Sequence, residues 1–235
     1  VMTCEEMIYS NDYSDYSINF LKGFEGAEEI YRTGCVNVIN SKIAILHLPR
    51  KEDYLTLLER TPYSYIPKLF GLMDSSNMEA IGVKQVQNAN NLGLSGKNVI
   101  VGVIDTGIDY QNSLFLDGSG KSRIGVIWDQ TINGLGKSDE NLNAYYGAVY
   151  TKSQIDQALG ESEPYEIVPS RDENGHGTFL AGIAAGGQNQ ENDFKGIADQ
   201  SEIAVVKLKK AKPYLKHFFG VPEEKDAYSE TDIIY

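Results

Sequence analysis

The sequence predicts an α/β fold in two parts: a layered domain around a parallel sheet, residues 75–235, preceded by a small α+β unit, residues 1–74. Three features carry that prediction. Residues 99–104 (Val-Ile-Val-Gly-Val-Ile) form a continuous apolar, β-branched run, and residues 123–128 and 202–208 repeat the texture. Strands of this kind are buried on both faces, which marks a parallel sheet. A helical stretch of small residues, 178–185, lies between the second and third runs, and strands alternating with helices make a layered α/β domain. Before residue 74 the rhythm differs, with short strands and amphipathic stretches that end in a polar, linker-like break at 74–77.

In order, residues 13–20 are rich in tyrosine and apolar residues and read as a strand. Residues 25–31 form a short helical stretch stopped by Gly34. Residues 35–39 and 43–48 are β-branched runs on either side of the turn pair Asn40-Ser41, hence a hairpin, and Pro49 ends it. Residues 51–60 set Tyr54, Leu55, Leu57 and Leu58 opposite charges, as an amphipathic helix does. Residues 63–72 return as an extended segment, confined to an edge by Pro62 and Pro67. The order β-α-β-β-α-β is a ferredoxin-like split unit. In the second part, residues 117–120 are a turn, 131–171 a long polar stretch, and Ser229-Glu230-Thr231-Asp232 a helix start with Ser229 as N-cap.

The 235 residues, 41% hydrophobic and 23% charged, are enough to bury a core. A net charge of -12 and a pI near 4.7 argue against nucleic acid or anionic membrane as main partner. No apolar run approaches the ~20 residues that span a bilayer. The start, Val1-Met2-Thr3-Cys4-Glu5-Glu6, is acidic and lacks the basic and apolar regions of a signal peptide. An intracellular location is therefore expected, unless a leader has been trimmed. Cys4 and Cys35 are too few for a disulfide framework and have no metal-ligand spacing. They read as free thiols in a reducing compartment.

Two blocks carry chemistry. Asp105, in Val103-Ile104-Asp105-Thr106-Gly107, lies where the first apolar strand runs out at its carboxyl end. Open α/β sheets gather catalytic and binding groups at that edge. Asp-Thr-Gly is also the signature of aspartic proteases, where two such aspartates share a proton, and a plain strand-ending turn would look the same. His176, in Asn174-Gly175-His176-Gly177-Thr178-Phe179-Leu180-Ala181-Gly182, opens the small-residue helix. Glycines on both sides let neighbouring backbone come close. His47, inside an apolar strand, and His217, in a Lys/Phe-rich loop, lack such a setting and read as structural. Taken together, Asp105 and His176 are two-thirds of a serine-protease triad: a carboxylate that orients a histidine, and the histidine as general base.

On these residues the chain resembles the subtilisin-like (S8) serine peptidases, whose triad runs Asp, His, Ser along the chain. Asp105 matches the family's Asp-Ser/Thr-Gly block and His176 its His-Gly-Thr-x-x-Ala-Gly block. Lys195-Gly196-Ile197-Ala198-Asp199 and the strand that follows match its Gly-x-Ala-Pro turn, with Asp199 in place of proline. The match covers roughly residues 78–208. A closer resemblance, to the clostridial Csp-type subtilases linked to spore germination, rests on four strings: residues 66–74 (IPKLFGLMD), 127–131 (IWDQT), 172–176 (DENGH) and 207–212 (KLKKAK).

The resemblance implies a subtilisin-like parallel-sheet catalytic domain, incomplete here, behind a ferredoxin-like propeptide that chaperones and inhibits it. It implies a serine endopeptidase, hydrolysing peptide or protein substrates and processing a proenzyme in spore germination, in an intracellular or spore-associated bacterial setting. No serine of this sequence has the family's nucleophile context, and the oxyanion-hole asparagine block is not recognisable. The catalytic serine is therefore expected beyond Tyr235, on a C-terminal half whose absence leaves these residues inactive alone. Calcium is the one cofactor the resemblance allows; Asp109, Asp117 and Asp129 are oxygen donors near the first strands, and none is assigned. Two other readings stay open: an aspartic protease using Asp105, which needs a second Asp-Thr-Gly or a homodimer, and a non-catalytic pseudoprotease or regulatory scaffold of the same family.

Overall fold

The computed structural model describes residues 2–19, 35–50, 62–71, 94–133, 144–188 and 194–235. The helices expected at 25–31 and 51–60 and the linker at 74–77 lie outside them. In chain order the elements are α1 (Cys4–Tyr9), β1 (Tyr13–Asn19), β2 (Cys35–Val38), β3 (Ile43–Pro49), β4 (Leu69–Phe70), β5 (Ile100–Asp105), β6 (Ile124–Asp129), β7 (Ala148–Thr151), α2 (Lys152–Leu159), α3 (His176–Ala185), β8 (Glu202–Lys207), α4 (Pro213–Phe218), β9 (Tyr228–Ser229) and α5 (Glu230–Ile234). They divide into two units, one of Val1–Leu72 with Lys210–Tyr235 and one of Met73–Lys209.

In the first unit β2 and β3 form the expected antiparallel hairpin, and β1 adds antiparallel to β3, giving the order β1-β3-β2. The segment at 63–72 does not extend this sheet. It begins as a 3-10 turn at Tyr63–Tyr65, and its two-residue strand β4 pairs with β9 instead. Pro62 and Pro67, which cannot donate to a ladder, bracket that turn. Helix α1 is opened by a capping box in which Glu6 N donates to Thr3 Oγ1 and Thr3 N to Glu6 Oε2. Packed on the hairpin, α1 brings Cys4 to Cys35 with their Cα atoms 5.2 Å apart, and the two form a disulfide. This corrects the sequence reading of two free thiols: the spacing is that of bridged cysteines, and count alone does not reveal it.

Beneath β1 and β3 lies a buried polar cluster. His47, fully buried, has Nδ1 at 2.6 Å from Asp15 Oδ1 and Nε2 at 3.0 Å from the Tyr235 hydroxyl. Lys212 Nζ donates to Asp15 Oδ1 at 2.7 Å and to the carbonyls of Met7 and Tyr13. The Tyr214 hydroxyl accepts from Asp15 N and donates to Asp15 O. A buried ion pair is tolerable only when its remaining donors and acceptors are met in this way. His217 lies in helix α4, which starts with Pro213 at its first turn, rather than in a loop.

The second unit is a four-stranded sheet in the order β5-β8-β6-β7. β5, β8 and β6 are parallel, and β7 adds antiparallel at the edge. Its core joins Val103 and Ile203 from the sheet, Ile155 from α2, Ala181 and Ala185 from α3, and Phe115. β7 and α2 lie within the stretch, 131–171, read only as long and polar. β5 also departs from the expected burial on both faces: alternate residues Ile100 and Ile104 are 65% and 49% exposed. It is an edge strand among the described residues, and only one of its faces meets α3 and the core. No helix among the described residues is long and apolar enough to cross a membrane.

Candidate active site

β5 delivers Asp105 to the carboxyl edge of the sheet, in register with Lys207 of β8, and Leu208 N donates to Asp105 O at 2.8 Å. Helix α3 begins on His176 against the loop that follows β5. The two glycines flanking His176 serve different ends. Gly175 is the N-cap at φ +86°, a left-handed conformation that side chains with a Cβ resist. Gly177 has ordinary helical backbone, but a Cβ there would lie 2.2 Å from Gly107 O and 3.2 Å from Asp105 Cβ. Glycine is thus what lets the helix start press against the Asp105 loop.

The two candidates from the sequence come together across that contact. His176 Nδ1 lies 2.8 Å from Asp105 Oδ1, which also accepts from Thr106 N at 2.8 Å. Their side chains are 17% and 11% exposed. An ionised carboxylate only accepts, so the Nδ1 position carries the proton and Nε2 is left as the basic nitrogen. This arrangement can hold a base in one tautomer and stabilise the charge it gains on accepting a proton.

Two further groups, which sequence reasoning passes over, fasten the loops beside this pair. Lys207 Nζ, largely buried, donates to Arg171 O at 2.6 Å and to Glu173 Oε2 at 2.7 Å, tying the end of β8 to the loop before His176. Burial would push the Glu173 carboxyl up, but the Lys207 hydrogen bond and charge hold it below the usual range. Asp172 accepts from Thr106 Oγ1 at 2.7 Å and from Thr178 Oγ1 at 2.6 Å. It also accepts from the backbone N–H groups of Asn174, Gly175 and Thr178. Burial again acts upward on Asp172, and the hydrogen bonds from Thr178, Thr106 and Gly175 outweigh it, so this carboxyl too sits low. Its sequence signal is its place four residues before His176, in the string 172–176.

Asp109, Asp117 and Asp129 are engaged locally. Asp109 Oδ1 accepts from Gln111 N, Asp117 Oδ1 from Ser119 and Lys121, and Asp129 from Thr131 and Ser170. No group of three His, Cys, Asp or Glu side chains arranged to hold a metal occurs among the described residues.

The model of the subtilase family, peptidase S8, matches residues 96–218, just over half of the chain, including Asp105 and His176. Two curated proteins of Arabidopsis thaliana are similar. Subtilisin-like protease SBT3.7 is 27% identical over 143 residues, 57% of this chain and 17% of that protein. Subtilisin-like protease SBT3.6 is 28% identical over 169 residues, 69% of this chain and 18% of that protein. Among solved structures, the CspB protease of Clostridium perfringens is 41% identical, with a TM-score of 0.44, over 54% of this chain and 24% of that one. The chain spans less than a quarter of the length of each of these proteins. With its matched block, its α/β sheet and its Asp-Thr-Gly and His-Gly-Thr motifs, the chain belongs to the subtilase family of serine peptidases.

Proposed function

We propose that these residues are the N-terminal part of a subtilisin-like serine endopeptidase that hydrolyses peptide bonds in a protein substrate. Asp105 orients His176, and His176 acts as general base toward a serine carried on chain beyond Tyr235. The observation that supports this most is the 2.8 Å hydrogen bond between His176 Nδ1 and Asp105 Oδ1, which fixes the tautomer in which Nε2 is the basic nitrogen. His176 takes the serine proton as the serine oxygen attacks the scissile carbonyl. The Asp105 carboxylate stays ionised and stabilises the resulting imidazolium. The imidazolium then returns its proton to the leaving amine. The open face of β5, with Ile100 and Ile104 exposed, supports further chain packing on this sheet.

In the same proposal residues 1–74 are a propeptide; the antiparallel order β1-β3-β2 supports three strands of a ferredoxin-like unit, and β4 departs from it by pairing with β9. The four Csp-like strings extend the proposal to processing of a proenzyme in spore germination. The test of the site is Asp105→Asn in the complete enzyme, which should leave the fold intact and lower turnover ~10⁴-fold. Near-full activity in that variant would remove Asp105 from the mechanism. For the propeptide, the mature N-terminus read by mass spectrometry should fall between Leu72 and Met78. A start before Lys68 or after Val86 would count against it.

A further inference from the structure

The Asp105–His176 pair is made by two segments that share no ladder, the loop after β5 and the first turn of α3. We propose that Asp172 is the positioning residue that sets their separation, through a reciprocal pair of threonines, Thr106 and Thr178. The inference rests on the catalytic reading of Asp105 and His176 above.

Asp172 divides its oxygens between the two segments. Oδ1 accepts from Thr106 Oγ1 on the β5 side, and Oδ2 accepts from Thr178 Oγ1 on the α3 side. A hydroxyl has one proton to give. Once that proton is committed to Asp172, the lone pairs are free to accept from elsewhere, and in both cases they accept across the gap. Gly177 N donates to Thr106 Oγ1 at 2.9 Å, and Asp109 N donates to Thr178 Oγ1 at 2.8 Å. Thr106 follows Asp105 and Gly177 follows His176, so the first bridge joins the immediate neighbours of the pair. The second closes the far side of the same contact. A backbone N–H can only donate, so each hydroxyl has to turn a lone pair toward it, and the acceptor-only Asp172 favours that orientation by holding both hydroxyl protons on its own side.

Asp172 also replaces a cap. Gly175, the N-cap of α3, has no side chain to offer the first-turn donors, and Asp172 Oδ2 takes Thr178 N at 2.8 Å. The helix start is thereby held by a residue that lies outside the helix. The low position of the Asp172 carboxyl agrees with a group that accepts throughout the working pH range.

An asparagine at 172 has the same shape and only one acceptor oxygen. Its NH2 would face either the two donors of Thr178 or those of Thr106, Asn174 and Gly175. A threonine hydroxyl forced to accept from that NH2 can no longer be held by it in the accepting orientation that meets Gly177 N or Asp109 N. The loops then part slightly, and misplacement on the order of 1 Å is enough to cost about a hundredfold in rate.

The test is made in the complete enzyme, with active sites counted by a serine-directed covalent inhibitor so that kcat is per competent site. Asp172→Asn is expected to lower kcat about a hundredfold with KM within about twofold, and to lose the low-field proton resonance of His176 Nδ1–H. Thr178→Val is expected to show the same kcat loss, and Thr178→Ser, which restores the hydroxyl, to rescue it. A merely structural Asp172 would change the number of titratable sites and the melting temperature while leaving kcat per site untouched, and that result overturns the proposal. If Asp172→Asn fails to fold, the Thr178→Val and Thr178→Ser pair decides, and equal kcat in the two overturns it. Asp105→Asn is run alongside. If it is inactive while Asp172→Asn is fully active, this inference alone falls; if it is active, the catalytic reading falls with it.

Discussion

At the scale of single residues, Gly175 and Gly177 show how one motif can hold two unrelated constraints. An alanine at 175 meets no atom within 4 Å but must adopt φ +86°. The expected cost is roughly 1–2 kcal/mol of stability, as for any left-handed L-residue, read as a lower denaturation midpoint. An alanine at 177 has acceptable helical backbone and nowhere to put its Cβ, which would sit 2.2 Å from Gly107 O. Overpacking of this kind costs about 1–3 kcal/mol, and here it also drives His176 away from Asp105. Gly177→Ala should therefore lower kcat of the complete enzyme as well as its midpoint, and unchanged kcat would show that the helix start is not pressed against the loop. Tyr110 carries a different signal. It is fully buried, and its hydroxyl donates to Val168 O at 3.0 Å. Burial first, then the nearby Tyr165, push its phenol up to about 12, against a smaller opposing effect of Arg171. The folded value lies above the unfolded one of about 10. The stability linked to keeping Tyr110 neutral is thus fully present below pH ~10 and is lost as pH rises toward about 12. Denaturation midpoints measured from pH 9 to 12 should fall across that window, and the fall should be shallower in Tyr110→Phe.

At the scale of elements, the sequence reveals what its periodicity can encode. The runs at 99–104, 123–128 and 202–208 correspond to β5, β6 and β8 within a residue or two at either end. The hairpin β2–β3 and the helix start at Ser229, whose side chain accepts from Thr231 N, are equally legible. β7 and α2 are not. β7 is four residues long, and α2 buries only Ile155 and Ala158, too few positions for an apolar stripe to stand out in a polar stretch. Its start is instead fixed by Thr151 N donating to Gln154 Oε1, a local polar device. Helix α4 is six residues with proline at its first turn, and its composition resembles a loop. Of the site, Asp105 and His176 stand out because each ends or opens an element, whereas Asp172 and Lys207 act through partners distant in sequence, Thr106 and Arg171 among them. The disulfide belongs here as well, since it fastens α1 to β2. Closing 31 residues of sequence separation is worth about 3–4 kcal/mol on the chain-entropy account. Cys35→Ser should lower the midpoint of the first unit by a corresponding amount. If reductant leaves that midpoint unchanged, the bridge does not contribute.

At the scale of the whole molecule, the proposed catalytic pair lies at the carboxyl end of β5, an edge strand among the described residues. Acyl transfer needs a nucleophile within reach of His176 and donors for the oxyanion, and Asp105 and His176 provide only an orienter and a base. These 235 residues made alone should hydrolyse no unfolded protein. With Ile100 and Ile104 exposed on β5, an edge strand among the described residues, they should also bind an apolar dye and self-associate more than the complete enzyme does. Inhibitor-sensitive cleavage by the 235 residues alone would point to a nucleophile within them.

The division of the chain also has a consequence in time. The first unit takes its beginning from Val1–Leu72 and its end from Lys210–Tyr235, with the second unit made in between. Asp15 and Lys212 are 197 residues apart, and His47 and Tyr235 are 188. At about 5–20 residues per second, a ribosome needs roughly ten to forty seconds to cover that interval. The strands that carry Asp15 and His47 thus leave the ribosome well before the ammonium and hydroxyl that complete their buried cluster. Contacts of such long sequence separation form late and slowly. The strands that carry Asp15 and His47 are therefore made before the second unit and reach their final packing only after Lys212 and Tyr235 have been made.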